Sequence, residues 1–122
     1  MTTQQVATQL WKYCKEGKWK QAHKELYAKN VWSQEPQGAS PRLVKGQKGI
    51  QQKGEWWTKN VKVHGMQVSK PTVAGNWITM KMSMDTQNKA KGSPRVKSEE
   101  ICMYNVQDGK IVSEQFFYDM EG

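Results

Sequence analysis

The chain has 122 residues, 36% of them hydrophobic, with 19 Lys and Arg against 11 Asp and Glu and a formal charge of +8. That length suits a single domain over residues 1–122 with one core, large enough to be stable without staples. There is no run of 18 apolar residues, the polar start MTTQQ lacks a charged-then-apolar leader, and Cys14 and Cys102 are too few and too far apart for a disulfide framework or a zinc site; the expectation is a cytoplasmic protein with no membrane segment, no metal and two buried thiols.

Thr2 and Thr3 can cap a helix in which Val6, Ala7, Leu10, Trp11 and Cys14 keep an i, i+3/i+4 rhythm, with Gly17 as its stop. Trp19, Ala22, His23, Leu26 and Tyr27 repeat the pattern and predict a second helix ending near Asn30, folded back on the first. Val31 and Trp32 open a short extended piece that stops at Glu35-Pro36, because the residue before a proline is pushed toward β or polyproline conformations. Residues 38–42, GASPR, read as a loop. Ile50, Gly54 and Trp57 space out a third helix from Gly46 to Asn60. Its glycines Gly46, Gly49 and Gly54 weaken helix propensity and suggest a close approach to a sheet.

Beyond Asn60 the period changes to two. Strands are expected at Val61–Ser69, with a bulge at Gly65, and at Trp77–Thr86, where Ile78, Met80, Met82 and Met84 line one face and Trp77, Thr79, Lys81, Ser83 and Asp85 the other. Residues 87–95, QNKAKGSPR, form a polar hairpin loop. Glu99 to Asp119 then reads as two strands joined by Asp108-Gly109, since a type I′ turn needs positive φ at both central positions. With Val106 opposite Ile111, strict alternation puts Glu100, Cys102, Tyr104, Ser113, Gln115 and Phe117 on an inner face and Ile101, Met103, Val112, Glu114, Phe116 and Tyr118 on an outer one. The order of elements is an α+β plan: three helices of the N-terminal half lie across a curved antiparallel (mixed) β-sheet, and the resulting cone encloses an apolar pocket.

Charge is unevenly spread. Residues 1–98 hold 18 Lys and Arg against 5 acids, while 99–122 hold 6 acids against Lys110 alone. Such a field attracts anions, but no helix-turn-helix and no aromatic-and-glycine signature accompanies it, so nucleic acid is not an expected partner.

The stretches EEICMYNVQDGKIVSEQFFY, ELYAKNVWSQEPQG and VKGQKGIQQKGEWW resemble the SnoaL-like branch of the nuclear-transport-factor-2-like superfamily, which also holds the ketosteroid isomerases; the similarity runs from about Val6 to Tyr118. The resemblance implies a cone with its pocket inside, often a homodimer through the outer sheet face, and no cofactor. It puts Glu35 where the isomerases carry their catalytic base. A carboxylate at the mouth of an apolar pocket has its charged form disfavoured by desolvation, which suits it to taking a proton from carbon near neutral pH. The resemblance also puts Leu10 and Cys102 where the isomerases keep the two donors of their oxyanion hole. Leucine donates nothing and a thiol donates weakly, and losing one such donor typically costs ~10²–10³ in rate.

The candidate catalytic groups are therefore Glu35 and, after it, His64. The candidate ligand-binding wall is Trp11, Trp32, Trp57, Met80, Met82, Glu100, Cys102, Tyr104, Gln115 and Phe117. Two functions compete: a proton-transfer enzyme, isomerase-like or cyclase-like, acting on a small apolar, cyclic or polyketide-like molecule with Glu35 as base, or a non-catalytic ligand-binding or dimeric interaction domain.

Overall fold

The computed structural model describes residues 1–120. Thr2 caps α1 (Thr3–Lys15): its hydroxyl accepts the Gln5 N–H at 3.1 Å and Gln5 Oε1 accepts the Thr2 N–H at 2.9 Å, a reciprocal capping box. Val6, Ala7, Leu10, Tyr13 and Cys14 form its buried stripe. Gly17, at φ +69°, turns the chain into α2 (Trp19–Leu26). This helix ends sooner than the expected Asn30, because Tyr27 already belongs to β1 (Tyr27–Gln34), where strand pairing outweighs the continuing helical rhythm.

A short β2 (Leu43–Lys45), too brief to leave a pattern in the sequence, pairs with the end of β1 and leads into α3 (Gly46–Asn60), whose limits match those expected. Then follow β3 (Val61–Val68), a three-residue β4 (Thr72–Ala74), β5 (Trp77–Asn88), β6 (Arg95–Gln107) and β7 (Lys110–Phe117). The sheet runs β2-β1-β7-β6-β5-β3, with β4 paired to the start of β5. Every pairing is antiparallel except β1 with β7, so the sheet is mixed and curved. The helices cover its concave face, and one core unites Val6, Leu10 and Leu26 with Val31, Ile78, Met80, Cys102, Tyr104 and Ile111.

Two bulges adjust the register of the antiparallel pairs. The first leaves His64 between the paired Val63 and Gly65, one position from the expected Gly65. The second corrects the sequence reading of the last hairpin. Asp108 and Gly109, at φ 50° and 75°, make the anticipated turn, and Val106 faces Ile111. Asn105, however, faces Ser113, so Val112 is an extra residue. A one-residue slip exchanges the faces of everything beyond it. Glu114 and Phe116 now oppose Tyr104 and Cys102 on the concave face, while Gln115 and Phe117 oppose Met103 and Ile101 on the convex one.

Candidate functional site

Alternation along β1 turns Val31 and Ser33 into the core and leaves Trp32 on the convex side, where it pairs with Ser113 and Lys45. Glu35 follows directly, and its N–H donates to the Arg42 carbonyl at 2.7 Å. Across from it, α3 presents Lys53 one turn beyond the buried Ile50. The Lys53 ammonium sits 2.9 Å from Glu35 Oε1, donates to Ser33 Oγ at 3.1 Å, and lies 5.1 Å from the centre of the Phe116 ring. Glu35 is 17% exposed, and its Oε2 is buried without a hydrogen-bond partner among the described residues.

Two more carboxyls face the same space. Glu100, on β6, is pushed up to about 7 by burial and by the nearby Glu35, while the Cys102 thiol and Lys53 pull the other way. The thiol contact is 3.6 Å from Sγ to Oε1. Glu114, brought inward by the Val112 bulge, is 5% exposed and accepts the Tyr27 hydroxyl at 2.5 Å. Burial raises its proton affinity, and the hydrogen bond from Tyr27 and the charge of Lys53 oppose that rise. Tyr118 stands beside this group, its hydroxyl raised to about 12 by burial and then by Glu35 and Glu100. Three carboxyls thus share one ammonium. A site so composed retains a proton near neutral pH, because like charges in a poorly solvated space resist ionising together.

A cleft of about 430 Å³ opens over Glu100 and Tyr118, walled by Pro36, Ile101 and Phe117. A larger hollow of about 570 Å³ lies by Lys15, Gln67 and Ser69 and has no carboxyl in its wall, so it is the smaller one that reaches Glu100.

Of the residues expected to form the site, the concave face gathers Glu35, Met80, Met82, Glu100, Cys102 and Tyr104. Met80, Cys102 and Tyr104 are packed into the core, at 2%, 0% and 2% exposure. Trp57 is a half-buried residue of α3, one turn beyond Lys53. Trp11 fastens α1 to the sheet edge: its indole N–H donates to the Val68 carbonyl at 3.1 Å, and Lys15 lies over its ring at 3.6 Å. Trp32, Gln115 and Phe117 lie on the convex face for the register reasons given above, although Phe117 also walls the cleft over Glu100. His64 is exposed on β3, bonded to Gln87 Oε1 at 2.9 Å, and three strands stand between it and β1 in the sheet, so it does not join Glu35. The residues that alternation missed are Ser33, Lys53, Glu114, Phe116 and Tyr118. A usable signal existed for Lys53, which falls on the same α3 stripe as Ile50, Gly54 and Trp57.

The SnoaL-like domain profile matches residues 1–118. A provisionally assigned SnoaL-like polyketide cyclase of Mesorhizobium loti is 31% identical, with 97% of this chain and 100% of that one covered and a TM-score of 0.91. At 19% identity, a provisionally assigned isomerase of Bacillus subtilis has a TM-score of 0.73 over 98% of this chain and 90% of its own. A protein of Catenulispora acidiphila with a ketosteroid-isomerase-like fold, solved with trimethylamine, has a TM-score of 0.68 at 16% identity over 81% and 73%. The last two carry the fold alone. None of the curated proteins matches the sequence. Among the described residues no helix is long and apolar enough to cross a membrane.

Proposed function

This chain belongs to the SnoaL-like domain family, and on that footing we propose that it takes a small apolar, cyclic or polyketide-like molecule on its concave face and exchanges a proton with a carbon of that molecule. Glu35, whose Oε1 lies 2.9 Å from the Lys53 ammonium, is the base. Glu100 is the group that returns the proton, because a carboxyl near 7 is populated in both protonation states at working pH. Two neighbouring carboxyls in unlike surroundings, one paired with an ammonium and one raised by burial, can divide base and acid roles between them. The observation that carries this reading is Glu100 held near neutrality beside the ion-paired Glu35. Hydrogen–deuterium exchange at the acidic carbon of cyclic β-diketones, followed by NMR, tests it: the protein accelerates exchange, and Glu35→Gln and Glu100→Gln each lose at least ~10²-fold. Exchange retained in both variants overturns the assignment.

The binding-only alternative draws support from Leu10 and Cys102, both buried at 1% and 0% exposure, which offer no strong donor to a developing oxyanion. Under it the probes bind and no variant changes exchange. In either reading a second copy of the chain covers the convex face.

A further inference from the structure

The larger of the two hollows plays no part in the reading above, and we infer that it binds a small phosphate monoester, with the phosphate group against the free edge of β3; the inference stands apart from the proton-transfer reading. β3 is the last strand in the sheet order, so one side of its backbone has no neighbouring strand. The hydrogen bonds tell which residues turn that way. Ser69 donates its N–H to the Lys81 carbonyl at 2.9 Å and so faces β5, whereas the Val68 carbonyl accepts the Trp11 indole N–H at 3.1 Å and so faces the free edge. In an antiparallel pair the N–H and C=O of one residue point to the same side, and every second residue shares that side. The N–H groups of Val68 and Met66 therefore both open outward, and both residues line the hollow.

The rest of the wall supplies donors as well. Lys15, in the last turn of α1, reaches it with its ammonium 3.6 Å from the centre of the Trp11 ring. Lys81 reaches it from β5; its ammonium meets Glu99 at 3.0 Å, but that pair is exposed on both sides, so it is worth little and yields to a stronger anion. Ser69 accepts the Lys81 N–H at 2.8 Å through Oγ, which leaves its own hydroxyl hydrogen to give, and Ser83 and Gln67 complete the wall. Outward N–H groups at a sheet edge make concavities that bind anions. Here two of them stand with two ammoniums and three neutral side-chain donors, and no carboxyl offsets them. A carboxylate has only two oxygens to offer so many donors, whereas a phosphate monoester brings three terminal oxygens and about two negative charges at neutral pH. The volume of about 570 Å³ leaves room for an organic body beside the phosphate, and the formal charge of +8 draws such an anion in.

Phenyl phosphate, with phenol as its uncharged counterpart, tests this on the full chain by nitrogen-15 NMR. The ester is expected to shift the Met66 and Val68 backbone amides saturably, and phenol to leave them in place. Lys15→Gln with Lys81→Gln weakens binding of the ester at least ~10-fold, whereas Lys59→Gln with Lys91→Gln, which removes the same charge away from the hollow, changes it less than about two-fold. Glu99→Gln releases Lys81 and tightens binding. An equal loss in the two lysine pairs is adsorption to the general charge and overturns the inference. Binding that leaves both amides unmoved overturns it too, as does the absence of binding at low salt.

Discussion

Lys53 serves Glu35 directly and tempers Glu100 and Glu114 from the same face, so its loss has a definite sign. Lys53→Met removes a charge that holds Glu100 down; the Glu100 carboxyl then titrates above its value of about 7, as carbon-13 NMR of the side-chain carboxyl would register. The variant also leaves a buried carboxylate oxygen pair without its cation, and a stability loss of about 2–4 kcal/mol follows for a pair this nearly buried. Glu100 itself couples folding to pH. Its proton affinity is raised in the folded state above the ordinary 4.5. A carboxyl raised in this way favours folding most below its unfolded value, and that contribution is lost as pH rises through about 7. The Glu100 contribution therefore declines between these two values, while His23, lowered to about 4 by burial and then by Lys53, slopes the opposite way in wild type and variant alike. Glu100→Gln removes that decline and is the more stable protein in mild alkali, by on the order of 2 kcal/mol. Melting temperatures of the two proteins, measured in mild acid and mild alkali, check the sign: a lead of the variant over wild type that fails to grow on alkalinisation contradicts it. Glu114 slopes the same way and persists in the variant.

At the level of elements, α3 answers the question its glycines raise. An alanine Cβ at Gly49 would come within 2.7 Å of Val44 Cγ1, whereas at Gly54 it would meet nothing within 4 Å. Helix propensity alone favours alanine at both by about 1 kcal/mol. Gly54→Ala should realise that gain, while Gly49→Ala should lose about 1 kcal/mol or more as the helix is driven off β2, and urea midpoints of the two variants separate the cases. Such contrasts mark what a sequence can convey. The α1 cap, the α3 limits, the Asp108-Gly109 turn and the methionine row on β5 were legible because each depends on local spacing or on a conformation few residues adopt. The inner wall of β7 was not. Its run VSEQFFY is polar and apolar on both alternations, so nothing in it reveals the extra residue at Val112, and one slip exchanges Gln115 and Phe117 for Glu114 and Phe116. Glu35 was singled out by the resemblance to the isomerases rather than by any local pattern. Its partner Lys53 was hidden among 19 basic residues, since only tertiary packing distinguishes an inward lysine from a solvated one.

For the whole molecule, the convex sheet face decides the state of association. Helices cover the concave side, yet Trp77, Ile101 and Phe117 remain 43%, 45% and 48% exposed on the other, with Met103 between them in the register. A sheet apolar on both faces calls for cover on both, and an exposed row of this kind is an aggregation hazard when left bare. Lys81, opposite Ile101, is paired with Glu99 at 3.0 Å, so the centre of the face is close to neutral, while Arg95 and Lys97 near the hairpin tip keep that end of it charged. The proposed dimer therefore meets over the half of the face that holds Trp77 and Phe117. Two chains of +8 each repel at long range, and added salt screens that repulsion without weakening apolar contact. Light scattering after size exclusion should give a dimer at tens of micromolar whose dissociation constant falls as salt rises. Ile101→Lys with Phe117→Lys should give a folded monomer, and because both side chains wall the cleft over Glu100 the two new ammoniums should also lower the Glu100 carboxyl from about 7. A wild type that stays monomeric at every salt concentration removes the dimer.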